Sequence, residues 1–229
     1  MLPAVTDPDD IARAAAAAAA VELVEPAMTI GLGSGRAVWK VVELLGAREE
    51  RFRAATASNR TAELARHAGI EIVELDGELE LDLALDGADE VGPGLGLIKG
   101  GGGALLREKI VISAARRFVV VAETPKRVER LGERCRLPVE VVRFAWRDTR
   151  RRLARLLPDA ELRMDESAPY LTDEGHYLLD CRVPEDADAA ELDRSLERVP
   201  GVVEHGLFLG MAERALLGRP DGGVDELTA

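Results

Sequence analysis

AMTIGLGSGRAVWKVVELLGA, residues 27–47, decides the fold. AMTIGLG is a short apolar run that ends in glycines, and GRAVWKVVELLGA reads as the helix after it. Strand, glycine-rich turn and helix in that order open a parallel α/β sheet. Upstream, DPDDIARAAAAAAAVELVE (7–25) starts with Asp/Pro cap signals and continues in alanine, the best helix former. Downstream, FRAATAS (52–58) is a second strand, NRTAELARHAGI (59–70) a helix stopped by Gly69, and EIVEL (71–75) a third strand. LDLALDGADE (81–90) alternates and breaks into a turn. IKGGGGALLREKI (98–110) then opens a helix expected to run to about Arg117, and RFVVVAE (117–123) is apolar enough for a strand buried on both faces.

Ligands of such sheets collect at the carboxyl ends of the strands. Here those turns are GLGSGR, SNRT, DGADE and AETPK. After about Leu131 the pattern changes. PVEVV, DTRRRLARLL, AELRM, YLTDEGHYLLDCRV, DADAAELDRSLERV and VVEHGLF give strand, helix, strand, strand, helix, strand, the ferredoxin-like βαββαβ order. The expected architecture is α/β: a Rossmann-like, mostly parallel sheet domain from residues 1–131 plus 206–229, and a smaller ferredoxin-like α+β domain from residues 132–205.

Composition narrows the function. Lys plus Arg number 30 and Asp plus Glu 42, a formal charge of −12, which repels nucleic acid and anionic membranes. Aromatics are 3% of the chain, too few for base-stacking platforms. The densest basic run, RDTRRR (147–152), reads as the exposed face of a short helix. Cys135 and Cys181 lack metal-type spacing and read as reduced thiols of a cytoplasmic protein. His67, His176 and His205 are scattered and read as structural or solvent-facing.

Glycine carries the largest backbone entropy cost, so the run Gly100–Gly103 needs a reason. Residues without Cβ let the backbone approach a ligand and turn its N–H groups toward it. The same loop follows Lys99 and opens the helix that carries Glu108. Helical spacing puts Glu108 on a stripe with Ala104, Val111, Ile112 and Ala115. A carboxylate there is costly unless paired or functional; an intrahelical salt bridge and a catalytic base both fit. Asp86 and Asp89 occupy the DGADE turn, as turn formers, as ligands of a magnesium ion, or as partners of Lys99 and Glu108. Three carboxylates and one ammonium are net negative, which suits proton shuttling on a neutral polyol rather than docking of an anion. GLGSGRA lacks the third glycine of a dinucleotide fingerprint, so a phosphate-binding turn is the better reading, with Arg36, Lys126 and Arg13 as cationic helpers.

Together GLGSG, SNRTAELARHAGI, LDLALDGADEV, IKGGGGALLREKI, VVVAETPKRVERLG, LPVEV and VPGVVEHGLF resemble the ribose-5-phosphate isomerase A family over nearly the whole chain. The resemblance implies an aldose–ketose isomerase that interconverts D-ribose 5-phosphate and D-ribulose 5-phosphate, uses no metal or organic cofactor, and forms dimers or tetramers. It implies Glu108 as the base that moves a proton between C1 and C2, Asp86 as the helper in ring opening, and Asp89 and Lys99 as groups that orient hydroxyls and stabilise an oxyanion. It assigns substrate contacts to Ser34, Gly35, Arg36, Ala37, Gly87, Ala88, Gly100, Gly101 and Gly102, and the phosphate end to Lys126. Arg36 and Ala37 depart from the family's usual Ser-Thr pair. Arg36 then either grips phosphate directly or points elsewhere. The competing readings are a non-catalytic sugar-phosphate sensor and a nicotinamide-dependent dehydrogenase.

Overall fold

Asp7 accepts a hydrogen bond from the Asp9 N–H at 3.0 Å and caps the alanine-rich helix α1 (Pro8–Val21), a contact that contributes on the order of 1 kcal/mol. In this computed structural model residues 7–228 are described; residues 1–6 and 229, which the expected first domain included, lie outside the described residues. The chain divides into two compact units, one of residues 1–88, 107–127 and 210–229, the other of residues 89–106 and 128–209.

The first unit is built on a seven-stranded sheet. Its order is Val224–Thr228, Arg214–Gly218, Phe118–Glu123, Leu83–Asp86, Thr29–Leu32, Arg53–Thr56 and Glu71–Ile72. All neighbours are parallel except the pair Arg214–Gly218 and Val224–Thr228. The strands of AMTIGLG and FRAATAS pair in the register Ile30 to Ala54. Helix α2 (Arg36–Gly46) follows the first glycine turn, and α3 (Asn59–His67) follows the second strand with Ser58 as its cap. Helix α4 (Leu105–Ser113) follows the glycine loop. The core of this unit joins Ala16, Ala17 and Ala20 of α1 to Ile30, Leu32, Leu83, Leu85, Val119 and Val121 of the sheet. Alanine on α1 gives that helix a thin buried face, so it lies close on the strands: a Cβ at Gly218 would stand 1.7 Å from the Ala12 carbonyl oxygen.

The second unit holds a four-stranded antiparallel sheet ordered Val202–His205, Leu137–Val141, Tyr177–Cys181 and Glu161–Leu162. With α5 (Trp146–Leu153) and α6 (Ala189–Leu196) this is the ferredoxin-like βαββαβ arrangement. The unit extends beyond residues 132–205. It also takes a three-stranded sheet of Leu207–Phe208, Leu97–Ile98 and Glu90–Val91, because Ile98, Val128, Leu131 and Leu207 join its apolar core. Glu90 is fully buried and accepts from the N–H groups of Gly132, Arg134 and Cys135 at 2.6–2.8 Å. The last carboxylate of DGADE is therefore a structural staple.

Candidate active site

Within the first unit the glycine turn after Thr29–Leu32 and the end of strand Leu83–Asp86 form one assembly. Asp86 is 0% exposed. Its Oδ1 accepts from the Gly87 N–H at 2.7 Å and the Ser34 N–H at 3.2 Å. Only a glycine fits at position 33, since a Cβ there would stand 1.8 Å from the Asp86 carboxyl carbon. The strand thus ends in a carboxylate sunk against the neighbouring turn and held by backbone donors.

Ser34 extends this assembly. Its hydroxyl donates to the Ser58 hydroxyl at 3.1 Å, which donates to Thr61 at 3.0 Å, and the Trp39 indole N–H reaches the same Thr61 oxygen at 3.2 Å. The SNRT turn is thereby tied to GLGSGR through side chains, a link that no local pattern announces. Gly35 sits at φ 97°, where a side chain would be strained, and Arg36 begins α2 with its side chain exposed. Arg36 lines a cleft of about 700 Å³ with Arg13, Trp39, Lys40, Arg60 and His67. Arg13 is buried and its charge is committed to Asp10 and Glu123, so its role is structural. Ala37 is half-buried in the first turn of α2, and Lys126 closes a short 3₁₀ turn after Phe118–Glu123.

Glu108 is 5% exposed in the first turn of α4. Val111 and Ile112 on its stripe are buried, as the helical spacing predicts.

The second unit carries Asp89, Lys99 and the glycines. The Asp89 N–H donates to the Ile98 carbonyl at 2.8 Å, and its Oδ2 accepts from the Gly101 N–H at 2.7 Å. Lys99 is 2% exposed; its N–H donates to the Gly206 carbonyl at 2.9 Å, and its ammonium stands 5.5 Å from the centre of the Phe208 ring. Three of the four glycines are accounted for by close approach. Gly100 (φ 101°) would press a Cβ on Leu105, Gly101 on the Asp89 carboxylate, and Gly103 (φ 83°) on the Tyr170 hydroxyl. Gly102 has open space where its Cβ would lie.

The structure thus brings Gly33, Ser34 and Asp86 together in one unit, and Asp89 with Gly101 in the other. Ser58 and Thr61 belong to the SNRT turn that the sequence places at the loaded sheet edge, whereas the supporting roles of Trp39, Arg163 and Tyr170 were not expected from the sequence. Among the described residues no group of three or more His, Cys, Asp or Glu side chains is arranged to hold a metal ion. No helix among them is long and apolar enough to cross a membrane.

The family model of ribose 5-phosphate isomerase A (phosphoriboisomerase A) matches residues 53–222. The chain is 50% identical over 223 residues to ribose-5-phosphate isomerase A of Roseiflexus castenholzii, with 95% of each sequence covered. Among solved structures it is similar to ribose 5-phosphate isomerase A of Methanocaldococcus jannaschii, at 37% identity and a TM-score of 0.89 over 96% of this chain and 99% of that one. A D-ribose-5-phosphate isomerase solved in complex with phospho-erythronic acid is similar at 32% identity and a TM-score of 0.90, over 96% and 99% of the two chains. These relatives are isomerases, and they give the sensor reading no support.

Proposed function

The chain belongs to the ribose 5-phosphate isomerase A family, and from that premise we propose that it interconverts D-ribose 5-phosphate and D-ribulose 5-phosphate through a cis-enediol(ate). The observation that carries the chemistry is Glu108, a buried carboxylate in the first turn of the helix that follows the glycine loop.

In this reading Asp86 assists opening of the furanose ring by exchanging a proton with the ring oxygen and the C1 hydroxyl. Glu108 then removes the proton on C2 of the open aldose and returns it to C1, while the C2 hydroxyl proton passes to O1, leaving the carbonyl at C2 and a hydroxyl at C1. Asp89 orients the hydroxyls, and Lys99 meets the oxyanion that develops during enolisation; a fixed cation in a water-poor site stabilises such charge far better than water does. Gly87, Ala88, Gly100, Gly101 and Gly102 present backbone to the sugar. Ser34, Gly35, Arg36, Ala37 and Lys126 take the phosphate end, Arg36 by charge where a hydroxyl is usual. A relative's complex with phospho-erythronic acid supports this substrate class, since that ligand joins a phosphate to a short polyol chain ending in an oxyanion.

The enzyme serves the non-oxidative pentose phosphate pathway in the cytoplasm, as a homodimer or tetramer, and binds neither nucleic acid nor membrane. A formal charge of −12 supports the last point. The test is to incubate the purified protein with ribose 5-phosphate in EDTA and follow ketose formation. Steady production of ribulose 5-phosphate is expected; a folded protein that makes none overturns the assignment, and activity that returns only with magnesium revives a metal role for the DGADE acids.

A further inference from the structure

Asp89 and the glycine loop are held by residues far downstream. Arg163 and Tyr170 flank a two-stranded ribbon, Met164–Asp165 paired with Ala168–Pro169. The Tyr170 N–H donates to the Arg163 carbonyl at 3.0 Å, and the guanidinium stands 5.9 Å from the centre of the tyrosine ring. Arg163 Nε donates to Asp180 Oδ2 at 2.9 Å, with Nη2 on the other oxygen, so the fork is anchored on the sheet. Its remaining nitrogen, Nη1, donates to the Gly100 carbonyl at 2.9 Å and the Gly101 carbonyl at 3.0 Å, 63 and 62 positions away. The Tyr170 hydroxyl donates to the Gly102 carbonyl at 3.2 Å. Three successive glycine carbonyls are therefore held by one pair of side chains.

In a trans peptide the C=O and N–H point in opposite directions. Holding the Gly100 carbonyl turns the Gly101 N–H away from Arg163, and that N–H is the one that donates to Asp89 Oδ2 at 2.7 Å. Holding the Gly101 carbonyl turns the Gly102 N–H the same way. The series Asp180 carboxylate, Arg163 guanidinium, Gly100 carbonyl, Gly101 N–H and Asp89 carboxylate alternates donors and acceptors, so each bond polarises the next. A lysine at 163 has no planar fork to span a carboxylate and two carbonyls at once.

We propose that Arg163, anchored by Asp180 and flanked by Tyr170, is a positioning residue for the isomerisation: it sets the peptide planes of Gly100–Gly102 and, through one of them, the orientation of Asp89. The inference rests on the isomerase reading above. Arg163→Gln is expected to lower kcat about 10- to 100-fold with a much smaller change in KM, since displacing a reacting group by about 1 Å costs about that much. In an Asp89→Asn background the same substitution should cost less than about threefold more, because the two residues act in one chain. Hydrogen exchange across residues 99–106 should speed up in Arg163→Gln while exchange across 29–45 stays unchanged. Asp180→Asn keeps the shape and removes only the anchoring charge, so it should reproduce both effects if Arg163→Gln does not fold. Wild-type kcat with unchanged exchange overturns the proposal, as do fully additive losses with Asp89→Asn, which would mark a role in stability alone. Inactivity of the wild-type protein would instead remove the isomerase reading, and the exchange measurement would still judge the clamp.

Discussion

Glu108 shares its stripe of α4 with buried Val111 and Ile112 and is itself 5% exposed, so its carboxylate is kept where most carboxylates are not. Glu108→Gln preserves the volume and removes the proposed base; kcat should fall by about 10²–10⁴-fold with substrate binding largely retained, measured by steady-state turnover alongside equilibrium binding. Retention of more than a few per cent of kcat would remove Glu108 from the proton transfer. Gly33→Ala tests the neighbouring assembly. Its Cβ would overlap the Asp86 carboxylate at 1.8 Å, so either the strand end or the turn must move. We expect a loss of roughly 1–3 kcal/mol in denaturant unfolding together with lower turnover, and an unchanged midpoint would mean the turn yields freely. Asp86, Asp89, Lys99 and Glu108 stand out as candidates in the sequence because glycines, acids and lysines crowd into two short motifs. Arg163 was not: its contacts with the loop span 62 and 63 residues, and an arginine in AELRM looks like any solvated strand charge.

Helices were the most readable elements, since their ends carry side-chain signals: Asp7 and Ser58 accept from the first-turn N–H groups of α1 and α3, and Gly69 (φ 79°) stops the latter. The helix expected to reach Arg117 ends at Ser113, because the next residues give their backbone groups to the sheet. The Ala114 and Arg117 carbonyls accept from Leu81 and Ala84 at 2.8 Å, and the Arg116 N–H donates to Leu81 at 2.8 Å. Strand Leu83–Asp86 belongs to an alternating sequence yet is buried at every position, as a central parallel strand is. AELRM splits at Arg163, where the Arg163 N–H still pairs with Leu178 at 2.8 Å but the chain turns into the ribbon. Strand Leu137–Val141 hides one more group that its sequence concealed. Glu140 is 1% exposed, with Thr172 and His176 each donating or sharing a proton at 2.9 Å. Burial raises its pKa against those hydrogen bonds, and Glu174 adds to the rise. For a carboxyl raised in the folded state, stability is full below the ordinary carboxylate value and is lost as pH rises through the folded value. Glu140→Gln does not ionise, so its melting temperature relative to wild type should climb as the pH rises from the ordinary carboxylate range toward neutral. A gap that stays constant across that range would show that Glu140 titrates normally.

At the scale of the whole molecule the chain passes between its two units four times, at residues 88/89, 106/107, 127/128 and 209/210. The βαββαβ pattern marked the second unit in the sequence, but its edges were set by packing, which leaves no local mark. Leu97–Ile98 are two residues, too short to read as a strand, and they matter because Phe208 and Leu207 pair with them. Ile98, Val128, Leu131 and Leu207 all lie outside residues 132–205 and all belong to that unit's core. Burying each contributes about 1.5–3 kcal/mol, and four of them together rival the whole stability of an ordinary domain, about 5–15 kcal/mol. Glu90, also outside, satisfies three backbone N–H groups of residues 132–135, and leaving such donors buried without an acceptor costs about 1–3 kcal/mol each. The segment 132–205 expressed alone should therefore retain the order of its strands and helices but not the means to hold them. Its amide spectrum should be narrowly dispersed and its thermal transition absent. A well-dispersed spectrum with cooperative melting would mean that the four-stranded sheet of this unit is energetically separable from the three-stranded one, and that the four outlying apolar residues are passengers on a core complete without them.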